Sequence, residues 1–269
     1  MNYFSNRPFG ISSSLMPNAE VYHNENHQNY ENEDSFYFQR LEEKGICFNE
    51  AQMKAVRHME GPCLTLAGAG SGKTSVLVSR TGYLLQVKHV PPENILLLTF
   101  SKKAAMEMKQ RVASLPDINR NAVNRIQAGT FHSFFLFLLR SRGVSQEILG
   151  NERFKHIVLK QLQRKIGIQE PYQPETLLST LSNLKMKLET VEDLPDKTTA
   201  EKEVKKILLM FEEWKEINQK IDFDDILVKA CEMLRNDEKL LDALQKRFQY
   251  IMVDEIGRAS CRERVSTSV

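Results

Sequence analysis

Hydrophobic and polar positions alternate in a regular order along the first half of the chain. Short apolar runs at 63–67 (CLTLA) and 95–100 (ILLLTF) are each followed by a segment of helical periodicity, at 74–86 and 102–113. Short apolar runs are typical of buried strands, and the order strand, helix, strand, helix predicts a parallel sheet. The predicted fold class is therefore α/β, with a parallel sheet flanked by helices.

A long stretch at 141–221 lacks strand signals and shows amphipathic helical periodicity instead, for example at 154–166 and 201–217. The strand pattern returns only at Tyr250-Ile-Met-Val253, a short apolar run that is followed by two carboxylates. Because this late strand belongs with the earlier ones, we predict that 141–221 is an all-helical subdomain inserted into the α/β lobe.

The two ends of the chain differ from this pattern. Residues 1–40 are rich in Asn, Ser, Glu and His, a composition that buries too little apolar surface to offset chain entropy. Residues 256–269 (IGRASCRERVSTSV) have neither helical nor strand period. We expect a disordered polar tail at 1–40, a lobe in two parts at 41–140 and 222–255, and a non-native tail at 256–269 left by cloning or a frameshift.

Composition narrows the function only a little. The 269 residues include 37 Lys and Arg against 35 Asp and Glu, so any nucleic-acid surface has to be a local patch. The four cysteines are far apart, which argues against a zinc site and a disulfide framework and favours a reducing compartment. No apolar run approaches the roughly 20 residues of a membrane helix. We expect a soluble, cytoplasmic protein with no membrane partner.

The strongest chemical signal is the sequence AGAGSGKT, which lies between an apolar run and a helix. Its glycines let backbone N–H groups face a polyphosphate, Lys73 can reach the β- and γ-phosphates, and the Thr74 hydroxyl can bind magnesium. The strict motif opens with Gly where this chain has Ala67, and the alternative is a Gly-rich turn that happens to precede Lys-Thr. The predicted ligand is ATP or GTP with Mg²⁺, contacted by Ala67, Gly68, Ala69, Gly70, Ser71, Gly72, Lys73, Thr74 and Ser75.

A phosphate loop needs an acidic partner strand, and Tyr250-Ile-Met-Val-Asp254-Glu255 offers one. Asp254 would orient the shell of the metal ion, while Glu255 would act as general base toward water. The alternative is an ordinary solvated strand end. With Lys73, these two acids are the predicted catalytic residues.

At this point several motifs, in order, resemble the superfamily 1 DNA helicases of the UvrD, Rep and PcrA type, from Leu41 to Glu255. Phe48-Asn-Glu-Ala-Gln52 looks like the family's adenine-reading motif, which implies that Gln52 hydrogen-bonds the base edge. An amide suits that role because it is both donor and acceptor. The alternative is an exposed Gln on a first helix.

Two further segments are placed by the resemblance along a track for single-stranded DNA. Hydroxyl, backbone N–H and lysine groups suit phosphates, and aromatic rings suit bases. The alternatives are that Phe100 belongs to the core while the neighbouring lysines are solvated, and that His132 has a structural role. The implied DNA-contacting residues are Thr99, Phe100, Ser101 and Lys102 in the first segment, and Gly129, Thr130, Phe131 and His132 in the second.

The segment Ile221-Asp-Phe-Asp-Asp-Ile-Leu227 is similar to an element that reopens the family's ATPase lobe after its helical insertion. A capped helix with an acidic first turn explains this segment equally well. In either case the segment supports a boundary near residue 221.

The chain departs from the family after Glu255, where the family continues with an aromatic residue, Gln and Asp, but Ile256, Gly257 and Arg258 follow here. The family's second lobe supplies arginines to the γ-phosphate, and such charge is often worth about 10³ or more in rate. The resemblance implies a parent that hydrolyses ATP to unwind DNA, with 3′ to 5′ stepping. For this chain we expect weak hydrolysis and no unwinding. The alternatives are a nucleotide-dependent DNA-binding module and a subunit of a helicase–nuclease.

Overall fold

A computed structural model describes residues 27–66, 68 and 70–254, with side chains from residue 33. Among these residues, no helix is both long enough and apolar enough to cross a bilayer. Short 3₁₀ turns lie at Pro92–Asn94 and Val191–Asp193. The helices are α1 His27–Glu43, α2 Glu50–Arg57, α3 Lys73–Gln86, α4 Lys102–Ala113, α5 Arg120–Arg125, α6 Phe131–Ser141, α7 Glu152–Lys165, α8 Pro174–Met186, α9 Thr199–Ile217, α10 Phe223–Asn236 and α11 Glu238–Arg247; the strands are β1 Ile95–Thr99, β2 Gln127–Thr130, β3 Glu147–Ile148, β4 Lys220–Ile221 and β5 Tyr250–Val253.

The main sheet has three parallel strands in the order β2-β1-β5, with helices on both faces. Every residue of β1 is buried, as expected for a central parallel strand. Alternate residues of a strand point to opposite faces, so Ile95 and Leu97 join the core formed with α1 to α4, while Leu96 and Leu98 pack with Phe248. The predicted parallel α/β fold is confirmed.

A second core lies between α7, α8 and α9, which together we call the helical region. Phe211 on α9 is completely buried at its centre, with leucines from α7 and α8 around it. The long amphipathic helices predicted here are present. One departure is the pairing of β3 with β4, two residues each, so the segment 141–221 is not purely helical. The pairing joins residues 73 positions apart, which no local sequence pattern reveals.

Helix α1 corrects the prediction that residues 1–40 form a disordered tail, because the helix begins at His27. Tyr37, Phe38 and Leu41 are buried against α3, and the Tyr37 hydroxyl donates a 2.5 Å hydrogen bond to the Ser79 carbonyl. These three buried residues of α1 lie on one helical face among many polar ones, so average composition concealed them. The rest of the predicted tail lies outside the described residues, as does the predicted tail at 256–269.

The apolar run at 63–67 is not a strand over its described residues 63–66, so this prediction is wrong for them. Leu64 and Leu66 expose 74% and 86% of their surface. A strand is stabilised by hydrogen bonds to a neighbouring strand. In the described part of the chain β5 pairs with β1 alone, and the run at 63–66 joins no sheet.

Candidate nucleotide and DNA site

The carboxyl ends of the three parallel strands bring the predicted site residues together at one edge, which we call the sheet edge. Thr99 at the end of β1 is in register with Thr130 at the end of β2. On the other side of β1, the Asp254 N–H donates a 3.0 Å hydrogen bond to the Leu98 carbonyl. Ligands of open parallel sheets bind outside the carboxyl ends of the strands.

The Gly-rich loop reaches the sheet edge just before α3. Gly70 and Gly72 have φ of 74° and 80°, which glycine adopts without the strain that a Cβ brings. The Ser71 hydroxyl and the Lys73 ammonium both donate to the Gly68 carbonyl, each at 2.7 Å. Helix α3 begins at Lys73, so the backbone N–H groups of its first turn point toward the loop. Ala67 and Ala69 lie outside the described residues.

Thr74 and Asp254 meet at the sheet edge although 180 positions separate them in the sequence. The Thr74 hydroxyl donates to a carboxylate oxygen of Asp254 at 3.3 Å, and Asp254 is only 8% exposed. A hydroxyl beside a carboxylate is the oxygen-ligand chemistry that Mg²⁺ prefers, so these residues fit a magnesium nucleotide. Ser75, the next residue on α3, is half-buried. The predicted base Glu255 lies outside the described residues.

Gln52 is tied to the loop rather than left free. Its side-chain oxygen accepts from the Asn49 N–H at 2.9 Å, which completes a capping box at the start of α2. Its side-chain nitrogen donates to the Ser71 carbonyl at 3.0 Å. Because each end of the amide makes a hydrogen bond, Gln52 links α2 to the Gly-rich loop. The amide keeps a second N–H and a second oxygen lone pair, so a base edge can be bound beside these two hydrogen bonds.

The segment after β1 divides into a buried and an exposed part. Thr99 is only 1% exposed, and its hydroxyl donates to the Ser101 carbonyl at 2.8 Å, which leaves its side chain inaccessible. Phe100, in contrast, is 67% exposed, and Lys102 is exposed as well. The Ser101 side chain accepts from the Ala104 N–H and caps α4. Phe100 is therefore a surface residue, and the alternative that it belongs to the core is wrong.

The segment after β2 is held by a cap of the same kind. The Thr130 side chain accepts from the Ser133 N–H at 3.1 Å, and the Ser133 hydroxyl contacts the Thr130 N–H at 3.0 Å. A Cβ on Gly129 would lie 3.0 Å from that same Ser133 hydroxyl oxygen, so a larger residue there would have to displace the capping hydroxyl. Phe131 is half-buried in the cluster with Leu98 and Phe248, so part of its ring surface is used in packing.

His132 makes a contact that the sequence did not predict. Its ring packs edge-on against Phe223, with centroids 5.6 Å apart and an interplanar angle of 86°. Phe223 is the first residue of α10 and is 45% exposed. One signal in the sequence could have indicated this contact. Phe223 is a large apolar residue between the acids Asp222 and Asp224, whereas a helix start that only faces solvent is usually polar.

These features define a parallel α/β protein with a Gly-rich loop and a buried acid at the carboxyl edge of its sheet. Residues 48–256 match the UvrD/REP helicase N-terminal domain, and the chain belongs to this family. The match covers the loop, all three sheet strands and the helical region, and it begins after α1.

Named relatives agree with this assignment. The putative ATP-dependent DNA helicase YjcD of Bacillus subtilis is 36% identical over 215 residues, covering 78% of this chain and 28% of the relative. The ATP-dependent DNA helicase PcrA of Staphylococcus aureus is 34% identical over 215 residues, covering 77% of this chain and 29% of the relative. That of Staphylococcus epidermidis is 36% identical over 218 residues, with 77% and 29% covered. The chain thus spans less than a third of these relatives' length.

Proposed function

We propose that this chain is the ATP-binding lobe of a DNA helicase, and that it binds a magnesium nucleoside triphosphate and single-stranded DNA side by side at the sheet edge. The observation that carries the proposal is the contact between Thr74 and Asp254. These residues are far apart in the sequence, so it is the fold that brings the loop and the acid together. Membership of the helicase family supports the coupling of ATP hydrolysis to strand unwinding in the parent protein.

Each residue at the nucleotide site has its own role in this proposal. Lys73 exchanges its hydrogen bond to the Gly68 carbonyl for the β- and γ-phosphates, and the N–H groups at the start of α3 bind phosphate oxygens. Thr74 and Asp254 would hold magnesium, whose positive charge would offset the charge of the triphosphate. Glu255 is the proposed general base, and Gln52 is proposed to bind adenine, with ATP as the nucleotide.

The DNA track of this proposal passes over the ends of β1 and β2. Phe100 offers an exposed ring for a base, while Lys102 and the capped helix starts offer charge and N–H groups for phosphates. His132 continues the track toward α10. Thr99, Gly129 and Phe131 serve mainly to shape the backbone, because their side chains are buried, absent or packed.

The domain organisation is also part of the proposal. We take residues 141–221 as a subdomain inserted between the two parts of the α/β lobe, since the helical region has its own buried core. A cytoplasmic location is consistent with Cys47, Cys63 and Cys231, which are free thiols.

The test is nucleotide binding by a Lys73→Ala variant, measured with a fluorescent ATP analogue and magnesium. Loss of an ammonium from the phosphates should weaken binding by about tenfold or more. Lys202→Ala is the matched control, because Lys202 is an exposed lysine on α9, and it should bind like the wild type. Full affinity in Lys73→Ala would contradict the phosphate-loop assignment.

A second measurement separates a motor lobe from a binding module. ATP turnover is followed with and without oligo(dT), using the wild-type chain and Asp254→Asn. Turnover that rises with DNA and vanishes in Asp254→Asn supports a catalytic lobe. Binding of both ligands without turnover supports the nucleotide-dependent DNA-binding module.

A further inference from the structure

Five charged side chains meet between α8, α9 and α10, and we call them the ion cluster. Lys215 Nζ lies 2.7 Å from carboxylate oxygens of both Asp222 and Asp225, and 2.9 Å from Glu212. Lys185 Nζ contacts the same three acids, with Asp225 nearest at 2.6 Å. Two ammonium groups therefore bridge three carboxylates.

The ion cluster is shielded from water to an unusual degree for charged groups. Lys215 exposes 2% of its side chain and Lys185 10%, while Asp222 exposes 8%. Removing such charges from water is costly, and breaking one partner leaves another charge buried and unpaired. These contacts are therefore strong constraints on the relative position of the three helices.

Both aspartates also form the start of α10. The Asp222 carboxylate accepts from the Asp225 N–H, and the Asp225 carboxylate accepts from the Asp222 N–H, each at 2.8 Å. Phe223 lies between them in the chain and touches His132. The ion cluster thus fixes the backbone from which Phe223 reaches the sheet edge.

We propose that the ion cluster positions His132 for DNA, because it holds the start of α10 and so keeps Phe223 against the histidine ring. Lys215 and Lys185 are positioning residues in this account, and they lie in the helical region rather than at the sheet edge. The inference deepens the proposed function and rests on its placing of His132 along the DNA track.

The test is a double-mutant cycle between Lys215 and His132, read out by binding of fluorescein-labelled oligo(dT) to the full chain. Met approximates the shape of the lysine stem without its charge. Lys215→Met should weaken oligo(dT) binding about tenfold, and Lys215→Met with His132→Ala should bind no more weakly than His132→Ala alone. A loss that merely reflects lower stability would not depend on His132 in this way.

Lys155→Met is the matched control. Lys155 is also a buried lysine of the helical region, but its ion pair, to Glu152 at 2.8 Å, lies within its own helix and not across to α10. Its variant should bind oligo(dT) and the fluorescent ATP analogue like the wild type. Urea unfolding of each variant establishes that binding is measured on folded protein.

Lys185→Met repeats the cycle at a slightly less buried position if Lys215→Met does not fold. An equal loss of DNA affinity with and without His132, or no loss at all, overturns the positioning role. A wild-type chain that does not bind oligo(dT) overturns the proposed function itself, which is a different result. Nucleotide affinity should stay within about twofold in the lysine variants, because the loop lies on other elements.

Discussion

The sheet edge and the helical region differ in how deeply their side chains are buried. At the sheet edge, polar groups meet with modest packing, and the adjoining run at 63–66 leaves Leu64 and Leu66 largely exposed. In the helical region, Phe211 and its neighbours are fully buried, and even two lysines are enclosed by acids. The first region leaves surface accessible to ligands, while the second is closely packed around its own core.

The difference shows where order comes from in this molecule. The loop depends on glycine conformation and a few hydrogen bonds, which a bound triphosphate can exchange for its own. The helical region depends on apolar burial and paired charges, which no ligand has to replace. Local openings of low free energy are expected at the edge, and global unfolding is expected to involve the helical core.

The largest effect should come from truncating the centre of the helical core. Phe211→Ala removes a completely buried ring that packs against Trp214, and it should lower the free energy of unfolding by about 3–5 kcal/mol. Urea unfolding followed by circular dichroism measures this value. The tryptophan is the only one in the chain, so its fluorescence reports the same region separately.

Leu66→Ala is the companion at the sheet edge. Because Leu66 is 86% exposed, its truncation should change the free energy of unfolding by no more than about 0.5 kcal/mol. A loss comparable to that of Phe211→Ala would erase the contrast between the two regions. Such a loss would also favour the predicted strand at 63–67, because truncating a leucine lowers the free energy of unfolding that much only if the leucine is packed.

At the sheet edge the sequence predicted which segments meet, but not how their side chains pack. It identified the Gly-rich loop and Asp254 as partners, because their roles follow from residue types and from the order of strands. It did not predict that Thr99 is buried or that Gln52 binds Ser71, since both depend on residues far away in the chain. The exposed run at 63–66 was predicted as a strand because its apolar pattern says nothing about a partner strand.

In the helical region the sequence predicted the packed helices, but not which charged side chains meet. Periodicity predicted the long helices well, because a buried face repeats every three to four residues. The ion cluster was not predicted, although Asp222 and Asp225 were recognised as an acidic helix start. Their partners Lys185 and Lys215 look like ordinary surface lysines in the sequence, and only the packing of three helices brings all four residues together.

Acid should have the next largest effect, and it should act on the ion cluster. Burial alone would raise the pKa of Asp222, but Lys215 and Lys185 outweigh burial and hold this pKa well below its ordinary value. The stability this provides is present above pH of about 4 and is lost as the pH falls through the lowered pKa. We expect a loss on the order of 2 kcal/mol between pH 5 and strongly acidic solution.

Urea unfolding followed by Trp214 fluorescence at several pH values measures that loss. Asp222→Asn removes the titrating group and should give a flatter dependence between pH 5 and 2, from a lower starting stability. Equal pH dependence in the two proteins would show that the acid sensitivity lies outside the ion cluster. The helical region would then lose its distinguishing electrostatic constraint.

A smaller effect than that of acid sharpens the comparison most, because it involves two helix caps that share one type of hydrogen bond. Ser101 caps α4 at the sheet edge, and Thr198 caps α9 in the helical region, each accepting a hydrogen bond from a backbone N–H three residues on. Replacing either by Ala should lower the free energy of unfolding by about 1 kcal/mol.

The two cap variants should differ in DNA binding although they match in stability. Ser101→Ala also removes a hydroxyl and loosens the N–H groups beside Phe100, so oligo(dT) binding should weaken by several-fold. Thr198→Ala should leave that affinity unchanged, because the Thr198 cap holds a helix of the helical region and no residue of the proposed DNA track. If both variants lose the same DNA affinity, then a small loss of stability in the helical region also weakens DNA binding at the sheet edge. The two regions would then not be independent.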